Sequence, residues 1–177
     1  LDVPWEALAA VALVESAGRP LWDGLCPIRI EGHYFDKRLE PGLRDLARLD
    51  GLSSPGRGMV ENPADMPGRH ALLARMSALD PEAAIESCSW GLGQVMGAHW
   101  KKLGYASARA LADEARSGVA GQVRLMGRFI EAEGLAQALR ERDWPRFAAT
   151  YNGPAYAEHD YHGQMARACA AFEARGA

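Results

Sequence analysis

The stretch Val3 to Val14 is apolar at helical spacing and closes on Glu15-Ser16-Ala17-Gly18. Trp5, Leu8, Val11 and Ala12 fall three and four residues apart, so the segment reads as an amphipathic helix with Pro4 at its first position and Gly18 and Pro20 ending it. A carboxylate at the end of a mostly buried helix meets two influences that raise its pKa, desolvation and the negative end of the helix dipole. Glu15, backed by Trp5, Leu8, Val11 and Val14, is therefore expected to hold a proton near neutral pH, as a general acid must. The plainer reading is a solvated residue at a helix end.

The rest of the chain limits what such an acid can serve. At 177 residues it fits one domain over 1–177, long enough to bury roughly 70% of its surface. Hydrophobic residues make up 48% and charged residues 24%, which favours neither disorder nor a membrane class, and no run reaches the ~18 apolar residues of a span. Residues 1–90 hold 9 Lys/Arg against 14 Asp/Glu, whereas residues 91–177 hold 11 against 9. That asymmetry is too weak for nucleic-acid binding and suits at most an anionic polymer. Cys26, Cys88 and Cys169 lack C-x-x-C spacing, so they read as buried thiols, with one disulfide and one free thiol as the other arrangement. The first residues show no charged and apolar leader, and a start without Met reads as an excised domain.

Periodicity predicts a mainly α chain with a small β element near residues 26–35, an α+β class. Pro27 to Phe35 alternates well enough for a strand, with Ile28 and Ile30 on one face and Arg29, Glu31 and His33 on the other. Leu49 to Arg69 is rich in Gly and Pro and reads as a long loop, a place for a lid or for partner contacts. Short helices are expected over 70–79 and 81–87. The glycine-dense Ser89 to Gly97 is expected to turn into a buried helix reaching Leu103. Helices follow over 107–114, 119–133, 135–142, 144–150 and 161–175, the second of these with Val123, Met126, Phe129 and Ile130 inward.

Three short patterns accompany Glu15-Ser16: Ile28-Arg29-Ile30-Glu31-Gly32-His33-Tyr34-Phe35, Ser89-Trp90-Gly91-Leu92-Gly93-Gln94-Val95-Met96-Gly97, and Tyr151-Asn152-Gly153-Pro154-Ala155-Tyr156 followed by Tyr161-His162. Singly each is ordinary turn or cap chemistry; their order over residues 3–172 is specific. In that order the chain resembles the N-acetylmuramidase domain of phage endolysins, within the lysozyme-like superfamily of goose-type lysozymes and lytic transglycosylases. It departs from the usual pattern at Arg29, where an apolar residue is common, and at Gly93, where a bulkier one is.

The resemblance implies a lysozyme-like helical fold that cleaves the β-1,4 bond between N-acetylmuramic acid (MurNAc) and N-acetylglucosamine (GlcNAc) in peptidoglycan. Breaking a glycosidic bond requires an acid for the leaving oxygen, the role expected of Glu15. Glu31 is the candidate second carboxylate, with a structural role as its alternative. Ser16, His33, Trp90, Gln94, Tyr151, Asn152 and Tyr156 form the candidate substrate-binding set, Ser16 by orienting Glu15 or its helix end, Trp90 and Tyr156 by stacking on sugar rings; the alternatives are a loop-backbone bond for Gln94, turn chemistry for Asn152-Gly153 and a core place for Trp90. Hydrolysis, or lytic transglycosylation with a 1,6-anhydro product, both fit one acidic Glu. No His-Glu-x-x-His and no Gly-x-Ser-x-Gly occurs, so no metal, cofactor or serine nucleophile is expected, and His159, Asp160 and His162 read as surface or capping residues. The expected partner is the glycan strand of the bacterial cell wall or periplasm, met by a monomer without nucleic acid or membrane span. The rival readings are a non-catalytic peptidoglycan-binding or protein-interaction module on the same fold.

Overall fold

The computed structural model describes residues 1–176; Ala177, the last residue of the domain expected over 1–177, lies outside the described residues. Helix α1 runs Trp5–Ser16. Pro4 caps it from just outside, its carbonyl accepting from the Ala7 and Leu8 amides at 3.1 and 3.4 Å. α1 lies along the last helix, α10 (Tyr161–Gly176). Ala7, Ala10 and Val11 enter a core with Met126, Ile130, Leu139, Trp144, Phe147 and Met165. Trp5 does not back Glu15: it is 57% exposed and leans on Phe172, ring centroids 5.9 Å apart.

The β element is a three-stranded antiparallel sheet, β1 (Ile28–Ile30), β2 (Cys88–Trp90) and β3 (Val95–Met96), with Ile28 opposite Trp90 and Ser89 opposite Met96. Two expectations are corrected here. The strand predicted to Phe35 stops at Ile30, because Gly32–Arg38 is helix α2. Phe35 and Leu39, four residues apart, are both buried, and that helical pair outweighs a short alternation. Gly32 has no room for a side chain, its Cβ position lying 2.3 Å from Val60 Cγ2. The buried helix predicted after Ser89 is a hairpin instead. Gly91 and Gln94 take φ of 69° and 46°, left-handed values that reverse the chain, and only a 3-10 turn at Gly97–His99 follows.

Helix α3 (Pro41–Leu49), which no pattern had indicated, packs its one buried residue Ala47 inward and is held through Arg48, whose guanidinium makes bonds of 2.7 and 2.8 Å to the buried Asp36. α4 (Met66–Leu79) begins four residues before the expected start, since Asp65 accepts from the Gly68 amide as its N-cap. The intervening loop is anchored: the Asn62 amide bonds both the N–H and the C=O of Ile30 at 2.8 Å, and Leu52 and Val60 are buried. α5 (Pro81–Glu86), α6 (Ala108–Arg116, Ser107 its N-cap), α7 (Val119–Ala132), α8 (Ala136–Glu141) and α9 (Trp144–Tyr151) match the expected helical second half. On α7 the inward residue is Gln122, 1% exposed, and not Val123, 39% exposed. The spacing 122, 125, 126, 129, 130 follows the helical stripe, which apolar character alone had misplaced by one residue. Among the described residues no helix is long and apolar enough to cross a membrane.

Candidate active site

Glu15 occupies the last turn of α1, where the chain leaves through two left-handed residues, Ala17 and Gly18, with the Gly18 amide donating to Ala12 O at 3.1 Å. That sharp exit ends the helix one residue past the carboxylate. Asn152, the C-cap of α9, donates from Nδ2 to Glu15 Oε1 at 2.6 Å. Burial pushes the Glu15 carboxyl up to about 7, and the Asn152 hydrogen bond pulls it back only partly. The group is thus a partly protonated acid at neutral pH. Among the described residues no hydrogen bond is made to Oε2, which leaves that oxygen to present the proton.

Tyr151 fixes the other side of this pair. Its ring stacks on Phe147 at 4.9 Å and meets Phe129 edge-on at 5.1 Å, and its hydroxyl donates to Gly93 O at 2.6 Å. Burial pushes its pKa well above the usual range, and the Glu15 charge acts in the same direction. The hydroxyl proton is taken up by the hairpin, so Tyr151 joins α9 to the sheet rather than offering a free donor to sugar. Asn152 Oδ1 is buried without a hydrogen-bond partner, an acceptor beside the acid.

Gln94 turns inward as well. Its Oε1 accepts from Ser89 Oγ at 2.9 Å and its Nε2 donates to Gly91 O at 2.8 Å, so the amide holds the turn in place of the expected sugar contact. Two more of the expected binding residues belong to the interior. Trp90 is 0% exposed with its indole N–H on Ile85 O, which excludes stacking on a sugar face. Ser16 is buried and donates to Ala12 O at 2.9 Å, holding the helix end. Tyr156, half-buried in a 3-10 turn just beyond Asn152, meets His162 edge-on at 5.4 Å.

Glu31 and His33 lie against each other. They do not share a strand, since Glu31 precedes α2 and His33 lies within it, yet His33 Nδ1 comes to 3.5 Å from Glu31 Oε2 and Arg29 Nε donates to Oε1 at 3.1 Å. Burial holds His33 below its ordinary pKa despite the nearby Glu31. The structure thus brings Glu15, Tyr151 and Asn152 together with Gly93, and sets Glu31 against Arg29, which bonds it, and His33, which lies close without a hydrogen bond.

Known proteins bear on this arrangement in two ways. A family model described as N-acetylmuramidase matches residues 4–173. The chain belongs to the N-acetylmuramidase family. Among solved structures, the crystal structure of Burkholderia AP3 phage endolysin matches with a TM-score of 0.82 at 35% identity, covering 97% of this chain and 66% of that one. The chain therefore spans about two thirds of that endolysin. A search of curated proteins finds no match. With ten α-helices and one small sheet among the described residues, the muramidase-family chain has the mainly α, lysozyme-like fold its sequence implied.

An apolar groove of about 510 Å³ opens beside the α1 exit of this muramidase-family fold, between α1, α7 and α10, with Trp5, Leu8, Ala17, Pro20, Leu92 and Met126 among its walls. Glu15 does not line it, and its side chains offer nothing to bind sugar hydroxyls. Sequence reasoning missed Gln122, whose amide bonds both Leu92 N and Pro20 O. The available signal was its place on the helical stripe. No cluster of His, Cys, Asp and Glu suited to a metal occurs among the described residues.

Proposed function

We propose that this chain is one catalytic domain that degrades peptidoglycan by cutting the MurNAc–GlcNAc β-1,4 bond, with Glu15 as general acid. The observation that carries the reading is the Glu15 carboxyl, buried, raised to about 7 and oriented by Asn152. A neutral acid at that position protonates the leaving oxygen while positive charge develops at the anomeric carbon. Once ionised, Glu15 remains beside the cationic sugar and stabilises it. Tyr156, half-buried just beyond Asn152, supplies an aromatic wall. The glycan strand is the partner, and the bacterial cell wall is the place of action.

Glu15→Gln keeps the shape and removes the proton. Clearing of purified sacculi by this variant is expected to fall by about 10²–10⁴-fold, the usual worth of a general acid. Unchanged clearing rejects Glu15 as the acid, and a parent protein that clears no sacculi leaves a wall-binding or scaffold module. Attack by water yields reducing MurNAc ends, whereas attack by the muramyl 6-hydroxyl yields 1,6-anhydro ends, and mass spectrometry of the products separates the two. The pairing of Glu31 with Arg29 and His33 supports Glu15 acting as the sole acid. If Glu31 instead serves as a base, Glu31→Gln loses activity with its melting temperature intact; if it holds the β1–α2 junction, the melting temperature falls first.

A further inference from the structure

Gln122 is a polar residue on a stripe whose other members, Leu125, Met126, Phe129 and Ile130, are all buried and apolar. Packing alone would be served by another apolar residue, and a buried amide is costly unless both ends are bonded. Both are: Oε1 accepts from the Leu92 amide at 3.0 Å, and Nε2 donates to Pro20 O at 2.8 Å. Its stem also lies close against Gly91, where an added Cβ would sit 2.9 Å from Gln122 Cγ. The two segments it joins are the ones that flank the acid. Pro20 lies on the chain leaving α1, five residues past Glu15. Leu92 precedes Gly93, whose carbonyl holds the Tyr151 hydroxyl, and Asn152, next in the chain, holds Glu15.

Contacts therefore close a ring that runs through the acid: Glu15, the α1 exit, Gln122, the hairpin tip, Tyr151, Asn152 and back to Glu15. We propose that Gln122 is a positioning residue that clasps the α1 exit to the hairpin tip and so keeps Glu15 shielded from water. This rests on the reading of Glu15 as the acid. Tyr151 of α9 is the titratable group that feels the Glu15 charge, and no Lys, Arg or His pairs with Glu15 among the described residues. Shielding by the closed ring is thus the main lever on the carboxyl.

The test is Gln122→Met, of similar length but without the two hydrogen bonds, read by ¹³C NMR titration of the Glu15 carboxyl and by the pH profile of sacculus clearing. Opening the clasp admits water, so the Glu15 pKa is expected to fall by about one unit. A fall of that size cuts the protonated fraction about tenfold at pH 8 and hardly at all at pH 5, so the alkaline limb of the profile moves down by the same amount. Lost packing alone lowers activity evenly across pH and leaves the titration where it was. Gln122→Leu, apolar like the rest of its stripe, is titrated in the same way if the Met variant does not fold. An unchanged Glu15 titration in a folded variant overturns the clasp. The parent reading fails separately, if Glu15→Gln keeps full clearing activity, because the titration reports the clasp whether or not Glu15 is the acid.

Discussion

Gly93, where the resemblance led to the expectation of a bulkier residue, is bare for a reason its surroundings give. A Cβ there would lie 2.7 Å from both Met126 Cγ and the Tyr151 hydroxyl. Gly93→Ala is expected to cost about 1–3 kcal/mol, the range for overpacking, and to push Tyr151 from its bond; urea unfolding measures the first and sacculus clearing the second. Glu15 shows the opposite balance, a carboxyl whose burial costs stability once it ionises. Its pKa is about 7 in the fold against an ordinary value of 4.5, so burial favours the fold most below pH 4.5 and that contribution is lost as pH rises through 7. Glu15→Gln is therefore expected to match the parent's stability at pH 4 and to exceed it by about 3 kcal/mol at pH 8, at about 1.36 kcal/mol per unit. Equal differences at both pH values would count against a buried, proton-holding Glu15. The sequence made Glu15 and Asn152 candidates; that they touch across 137 residues is a tertiary fact.

At the scale of elements, legibility followed the strength of the period. α1, α6, α7, α9 and α10 repeat apolar residues over two turns or more, and each was read with its approximate bounds. The sheet was harder, because its strands have two or three residues and the β2–β3 turn is itself apolar. Neither a period of two nor one of 3.6 can establish itself over so few positions. What fixes the hairpin is close approach: a Cβ on Gly97 would lie 2.1 Å from the Ile85 carbonyl oxygen, a backbone atom of α5 that cannot swing aside. Gly97→Ala is expected to lower stability by about 3 kcal/mol or more and to broaden the NMR signals of β2 and β3; a loss below about 1 kcal/mol would show that α5 and the turn can separate freely.

Across the whole molecule, two clusters of buried side chains share Tyr151, which packs against the sheet side and the α1–α10 side at once. The three cysteines belong to these interiors as free thiols, which removes the disulfide arrangement that their spacing had left open. Burial pushes Cys26 up to about 11 and raises Cys88 and Cys169 as well, so none is a ready thiolate. The native protein is expected to resist Ellman's reagent, to yield three thiols in denaturant, and to melt at the same temperature with or without reductant. Rapid reaction of any thiol in the native state would contradict this packing.

The sequence by itself determined the helical segments, the glycines that turn the chain, and the order of motifs that marks the family, because each depends on residues near one another along the chain. Tertiary structure decided which polar groups meet: Asn152 at Glu15, Tyr151 at Gly93, Gln122 between Pro20 and Leu92. It also took Trp90 into the interior, set Ser16 on its own helix end and tied Gln94 into its own turn. Periodicity reports the face of an element on which a residue lies, whereas desolvation and hydrogen bonding depend on what another element brings to that face.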